Sequence, residues 1–210
     1  MFLNKSVQSD FKMIYFNADG HEGSMCGNGG RCIVDFAHKI MSSAKKEYSF
    51  EAVDGLHEAI IKDQFISLKM IDVIKPSQET FFWDTGSPHH IEFVEDLETI
   101  NVFEKGQAIR YSPRYSKNGT NVNFVEILDK TSISVKTYER GVEAETLSCG
   151  TGVTAAALAF DQTMQTNLSE VKIRTKGGPL KVSFDQDEHK YFNIWLTGPA
   201  TRVFQGSIKI

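Results

Sequence analysis

Two cysteines in this chain stand in nearly the same setting, Met25-Cys26-Gly27-Asn28-Gly29 and Ser148-Cys149-Gly150-Thr151-Gly152. Each Cys-Gly-polar-Gly unit leads into a stretch that reads as a helix: Arg31 to Met41 in the first case, and the apolar, Ala-rich Val153 to Phe160 in the second. A cysteine at a helix start faces backbone N–H groups without helical partners and the positive end of the helix dipole. Both favour the thiolate over the thiol. The glycine that follows lets a ligand approach the backbone closely, and the same N–H groups can hold a carboxylate. Two such motifs facing one carbon suit inversion of that carbon, because a base must remove a proton from one face while an acid delivers one to the other. N–H donors on the carboxylate would stabilise the charge that develops. That chemistry, racemisation or epimerisation of an amino acid, needs no cofactor.

A lone free cysteine is most often apolar packing; the matched pair shifts the reading towards chemistry. Cys32, beside apolar residues at the first helix, is read as core. An internal duplication accounts economically for the echo, each half being a sheet packed around one helix; two unrelated Gly-rich loops are the other reading. His21, His38, His57, His90 and His189 show no zinc-ligand spacing with the cysteines, so no metal is expected.

The elements that position these motifs are mostly strands. Strands are expected at Phe11 to Phe16, Tyr48 to Val53, Glu58 to Lys62, Phe65 to Ile71, Thr80 to Trp83 and His90 to Val94. They continue as a hairpin from Asn123 to Tyr138, then at Val171 to Thr175, Leu180 to Phe184, Tyr191 to Leu196 and Thr201 to Ile208. Pro76-Ser77 reads as a linker. With 210 residues the chain can bury one large core or two small ones. A formal net charge of -4 gives no sign of nucleic-acid or membrane binding, no apolar run is long enough to span a bilayer, and no signal peptide is evident. Three cysteines make no disulfide scaffold and suit a reducing, cytoplasmic compartment.

Four ordered blocks carry a family resemblance. They are Asn17-Ala18-Asp19-Gly20 with the stretch from Met25 to Cys32, then Gly86-Ser87-Pro88-His89, then Gly119-Thr120-Asn121-Val122-Asn123-Phe124, and finally Tyr138-Glu139-Arg140-Gly141 running on to Gly152. From about residue 10 onward the chain resembles the diaminopimelate epimerase family. The resemblance implies an α+β fold of two similar domains, each a curved mixed or antiparallel, barrel-like sheet wrapped around a central helix, related by a pseudo-twofold axis, with the active site between them. The boundaries it suggests are 1–76 plus a returning strand 201–210 for the first domain, and 77–200 for the second. It implies conversion of LL-diaminopimelate to the meso form, for lysine and peptidoglycan synthesis, by a cytoplasmic homodimer acting on a small molecule. Carried over to this numbering, Cys26 and Cys149 would be the thiolate–thiol pair. Backbone N–H groups of Gly27, Asn28, Gly150 and Thr151 would hold the reacting carboxylate. Asn17, Asn121 and Arg140 would grip the distal end, and Glu139 would accept from the ammonium and, with His89, set the protonation of the sulfurs.

Two departures stand out. Ser87 occupies a position where many members have Asn, and its hydroxyl keeps only part of an amide's hydrogen-bonding capacity in substrate contact. Two blocks that open other family members, Gly-Asn-Asp-Phe-type and Gly-Ala-Asp-Gly-type, are absent before Met1, so the chain alone is expected to show low activity or poor stability through exposed strand edges. Rival readings are a proline or hydroxyproline racemase of the same architecture and a relative that binds ligand without turnover. A redox role is weak without a Cys-x-x-Cys motif.

Overall fold

The structure, a computed structural model, describes residues 1–16, 20–23, 26–41, 44–76 and 81–207. The first half runs β1 (Phe2–Asn4), β2 (Phe11–Ile14), α1 (Gly27–Ile40), β3 (Glu47–Ala52), β4 (Gly55–Lys62), β5 (Phe65–Lys69) and β6 (Val73–Ile74). The second runs β7 (Phe82–Asp84), β8 (Pro88–Val94), α2 (Val102–Arg110), β9 (Asn121–Asp129), β10 (Ser132–Glu139), β11 (Ala144–Thr146), α3 (Gly150–Met164), β12 (Glu170–Thr175), β13 (Gly178–Gln186) and β14 (Lys190–Pro199). All strands among the described residues belong to one sheet, in the order β1-β2-β3-β4-β5-β14-β13-β12-β10-β9-β8-β7, with β6 beside β14 and β11 beside β10.

The sheet is mixed for a simple reason. Parallel neighbours need a crossover connection, usually a helix, and the three parallel pairs are those linked by the three helices. α1 joins β2 to β3, α2 joins β8 to β9, and α3 joins β10 to β12. The hairpins supply the antiparallel pairs. β5 and β14 pair antiparallel, from Trp195 opposite Lys69 to Pro199 opposite Phe65, and this seam joins the two halves.

The core follows the helices. Around α1, Ile33, Val34 and Ala37 pack on Phe11, Tyr48, Phe50 and Leu68. Around α3, Val153 to Phe160 pack on residues from β8 to β14, including Ile91, Val135, Ile173, Val182 and Leu196. Met70 and Val73 also lie in this second cluster. α3 is buried at nearly every position from Gly150 to Asp161, which explains its almost wholly apolar sequence. A third, smaller cluster sets Val122, Phe124 and Tyr138 under Val102 of α2.

Three expectations need correction. Cys32 is not core; it is exposed. The buried stripe of α1 runs through Gly30, Ile33, Val34 and Ala37, so position 32 falls on the outer side, one turn before the exposed Phe36. Two notable helices were expected, yet α2 is a third; its start carries an Asn101 cap accepting from Glu104 N–H at 3.2 Å. Gly106 disguises it, because a Cβ there would come within 2.4 Å of Tyr138 Cβ, so close packing and not a turn demands the glycine. The strand expected over Thr201 to Ile208 is absent across its described part, since 201–207 is exposed and without regular structure.

Candidate active site

Cys26 and Cys149 each sit at the N-cap of a helix, with nearly the same backbone: φ −97°, ψ 125° for Cys26 and φ −110°, ψ 117° for Cys149. The first intrahelical bonds run from Gly30 N–H to Cys26 carbonyl at 2.7 Å and from Val153 N–H to Cys149 carbonyl at 2.9 Å. The N–H groups of Gly27 and Asn28, and of Gly150 and Thr151, therefore belong to the unpaired first turn of each helix. The two helix starts abut. A Cβ on Gly27 would lie 3.4 Å from Gly150 Cα, and one on Gly150 would lie 3.2 Å from Gly27 Cα. Leu196, from the seam strand β14, fills the space beneath, its Cδ2 3.2 Å and 3.0 Å from those same two Cβ positions. Glycine suits both places because a side chain there would force the helix starts or Leu196 to give way by a few tenths of an ångström.

A polar clasp ties one start to the other. Asn28 donates through Nδ2 to the Ser148 carbonyl at 2.9 Å, just before Cys149. Arg31 holds that amide, donating through Nη2 to Asn28 Oδ1 at 2.7 Å and through Nη1 to the Gly27 carbonyl at 3.3 Å. Arg31 is only 5% exposed, and among the described residues its Nε has no hydrogen-bond partner. Burial lowers its pKa, and the nearby Cys32 and Cys26 partly offset that. A guanidinium held this dry is electrostatically expensive.

The environments of the sulfurs differ. Cys26 is half-buried and Cys149 buried. Burial pushes the Cys149 thiol up to about 11, and the negative charge of Glu139 adds to that. The Thr151 hydroxyl and the Gly152 backbone N–H pull the other way, and the Cys26 charge pushes up slightly more.

His89 is fully buried behind Cys149. Its Nε2 lies 2.9 Å from both Ser87 Oγ and Thr151 Oγ1, those hydroxyls are 3.0 Å apart, and Thr151 Oγ1 is 3.5 Å from Cys149 Sγ. Burial, with the charge of Arg140, holds the His89 pKa down at about 3, so the ring is neutral. Asn121 is a brace: its Nδ2 donates to the Pro88 carbonyl at 3.0 Å and its Oδ1 accepts from Arg140 N–H at 2.9 Å. Arg140 donates through Nη1 to the Asn118 carbonyl at 2.8 Å. Glu139, at the end of β10, reaches the site by its charge on Cys149 and on Tyr15.

The structure therefore gathers Cys26, Gly27, Asn28, Ser87, His89, Glu139, Cys149, Gly150 and Thr151 around the paired helix starts. Asn121 and Arg140 meet each other at the end of β10. Asn17 lies outside the described residues. Sequence reasoning missed Arg31, Asn123, Thr137, the side chain of Thr151, and Tyr15, whose hydroxyl pKa is raised by burial and by the charges of Cys26 and Glu139. One signal was present: Asn121 and Asn123 alternate with apolar Val122 and Phe124, so both amides face one side of a buried strand. Among the described residues no cluster of His, Cys, Asp and Glu could hold a metal ion.

Comparison with known proteins gives the family and the fold. The sequence profile of a family described as diaminopimelate epimerase matches residues 1–73 and 81–203. A diaminopimelate epimerase from Flavobacterium psychrophilum is 46% identical, covering 99% of this chain and 82% of its own length. One from Chlorobaculum tepidum is 41% identical, covering 100% of this chain and 84% of its own length. Among solved structures, a phenazine biosynthesis protein of the PhzF family from Bacillus anthracis superposes with a TM-score of 0.78 at 16% identity, over 100% of this chain and 84% of that one. A hydroxyproline epimerase from Agrobacterium vitis, with bound trans-4-hydroxy-L-proline, gives 0.70 at 15% identity, over 94% and 70%. At those identities the structural likeness concerns the fold.

Proposed function

This chain belongs to the diaminopimelate epimerase family, and from that premise we propose that it interconverts LL- and meso-diaminopimelate without a cofactor, using Cys26 and Cys149 as its two proton carriers. The observation that carries this reading is the abutment of two cysteine-capped helix starts at Gly27 and Gly150. Two positive helix ends pressed together repel one another and create a strong site for one anion between them. The N–H groups of Gly27, Asn28, Gly150 and Thr151 hold the reacting carboxylate there and stabilise charge as the α-hydrogen leaves.

One sulfur, as thiolate, takes the α-proton and becomes a thiol. The opposite thiol gives its proton to the other face of the same carbon and becomes the thiolate. Substrate and enzyme together keep every proton and charge, and the sulfurs have exchanged roles, ready for the reverse turnover. Glu139 accepts from the ammonium group, and Arg140 binds the distal carboxylate, with Asn17 and Asn121 completing that end of the site; Ser87 stands at the other end, beside Thr151 and His89. The halves 1–76 and 77–200 each supply one sulfur. On the same reading the enzyme works as a cytoplasmic homodimer in lysine and peptidoglycan synthesis; light scattering on the purified protein tests its assembly.

The test is α-hydrogen exchange in heavy water. Incubation with LL- and meso-diaminopimelate should place deuterium at the α-carbon and interconvert the isomers. Exchange with proline or hydroxyproline but not with diaminopimelate would move the substrate to the other racemase class. Tight binding of diaminopimelate without exchange would make the chain a binder only.

A further inference from the structure

Behind Cys149 lies a chain of buried polar groups whose hydrogen-bond directions can be worked out one by one. Asn123 is fully buried on β9. Its Nδ2 lies 3.1 Å from the His90 carbonyl and 3.1 Å from His89 Nδ1, while its Oδ1 lies 2.9 Å from Thr137 Oγ1. A carbonyl oxygen only accepts, so the atom facing His90 must be the amide nitrogen. That orientation leaves the second amide hydrogen for His89 Nδ1. A neutral imidazole carries one hydrogen, and with Nδ1 accepting, it must sit on Nε2.

The consequence passes to the sulfur. Nε2, holding a hydrogen, cannot accept from Ser87 or Thr151, although both hydroxyls are 2.9 Å away. It donates to one of them. The Thr151 hydroxyl hydrogen then has two outlets, Ser87 Oγ at 3.0 Å and Cys149 Sγ at 3.5 Å. A charged acceptor takes the stronger bond, so the hydrogen turns to the thiolate whenever Cys149 is ionised. With the opposite tautomer, Nε2 would accept that hydrogen and draw it away from the sulfur. Gly152 closes the arrangement: a Cβ there would come within 2.4 Å of Asn123 Oδ1 and 3.3 Å of both Cys149 Cβ and His89 Cε1, so the helix start is packed tightly against the chain.

We propose that Asn123, held by Thr137, is a positioning residue that locks the His89 hydrogen on Nε2 and so commits the Thr151 hydroxyl to donating to the Cys149 sulfur. The relay offsets the burial and the Glu139 charge that disfavour the Cys149 thiolate. The catalytic use of that thiolate rests on the epimerase reading, but the relay itself is measurable without substrate.

Two measurements test it. In protein labelled with 15N at histidine, His89 should show a protonated Nε2 and an unprotonated, accepting Nδ1. The Cys149 thiolate is read separately, from the pH dependence of iodoacetamide labelling of the Cys149 peptide by mass spectrometry. Thr151→Val should slow labelling at mildly alkaline pH by about tenfold, a one-unit rise in the thiol pKa, and Thr151→Ser should restore it. Asn123→Ala should shift the same profile in the same direction by a smaller amount, with the melting temperature recorded beside it; Thr137→Val provides a second route should Asn123→Ala not fold. A His89 hydrogen found on Nδ1, or a Thr151→Val profile equal to that of the parent, overturns the proposal. These results stand whether or not diaminopimelate is the substrate, so a failed exchange assay and a failed relay are told apart.

Discussion

Gly27 and Gly150 meet across the two halves of the molecule, a Cβ on Gly150 falling 3.2 Å from Gly27 Cα. The contact fixes the separation of the helix starts that carry Cys26 and Cys149. Arg31 and Asn28 on one side and the Ser148 carbonyl on the other hold it closed. Gly150→Ala should therefore push the starts apart by a few tenths of an ångström. Crowding of this kind costs about 1–3 kcal/mol of stability. A displaced proton carrier costs more in rate, up to about a hundredfold. Calorimetry with the exchange assay checks both; an alanine variant with parental turnover would mean that the spacing is not critical.

Replacing either sulfur separates the two faces of the reaction. Cys26→Ala and Cys149→Ala should each lower epimerisation by about a thousandfold or more, as expected when a positioned acid or base is removed. Cys26→Ser and Cys149→Ser should retain some α-hydrogen exchange with one stereoisomer, because the remaining sulfur still serves its own face. Chiral chromatography of deuterated product reads this directly. Full turnover by one alanine variant contradicts the two-carrier scheme.

Arg31 should separate activity from stability. Its buried guanidinium has an unpartnered Nε and costs desolvation energy. Arg31→Met removes that cost along with two hydrogen bonds, so stability should change by no more than about 1 kcal/mol. Turnover should still fall, by about tenfold, because Asn28 loses the group that aims it at Ser148. A large drop in melting temperature together with unchanged turnover would reverse the role assigned to Arg31.

Acid should unfold the protein through its buried histidines. Burial and Arg140 hold the His89 pKa at about 3, and burial and Arg114 hold that of His90 at about 4. Both lie below the unfolded value of about 6.5. The unfolded chain then binds more protons than the native state between those limits, so stability is fully present above about pH 6.5 and falls as the pH drops towards 3. Each histidine contributes a slope of up to about 1.4 kcal/mol per pH unit. His90→Gln, which can still reach the Tyr115 hydroxyl now 2.8 Å from His90 Nδ1, should flatten the slope above pH 4. Urea titrations at several pH values test this, and an identical slope in parent and variant would exclude His90 as a contributor.

What the sequence determined by itself was local. A cysteine followed by glycine, a polar residue and glycine at the head of a helical run declares a cysteine-capped helix start, and that needs only neighbours along the chain; the thiolate that such a start favours is opposed at Cys149 by burial and the Glu139 charge, which only the fold decides. Most strands and both long helices were legible for the same reason, since their patterns repeat every two or 3.6 residues. Local signals failed where tertiary contact sets the residue. Gly106 looks like a helix breaker but is there for Tyr138; Cys32 sits among apolar neighbours yet faces outward; Thr201 to Ser207 has strand-like residues yet is exposed and joins no strand. Only the folded sheet decided that Gly27 touches Gly150, that Asn28 grips Ser148, and that Thr137, Asn123, His89, Ser87 and Thr151 form one line ending at Cys149. Those partners come from separate strands and a helix, and hydrogen bonds and close contacts between them depend on distances in space that spacing along the chain does not encode.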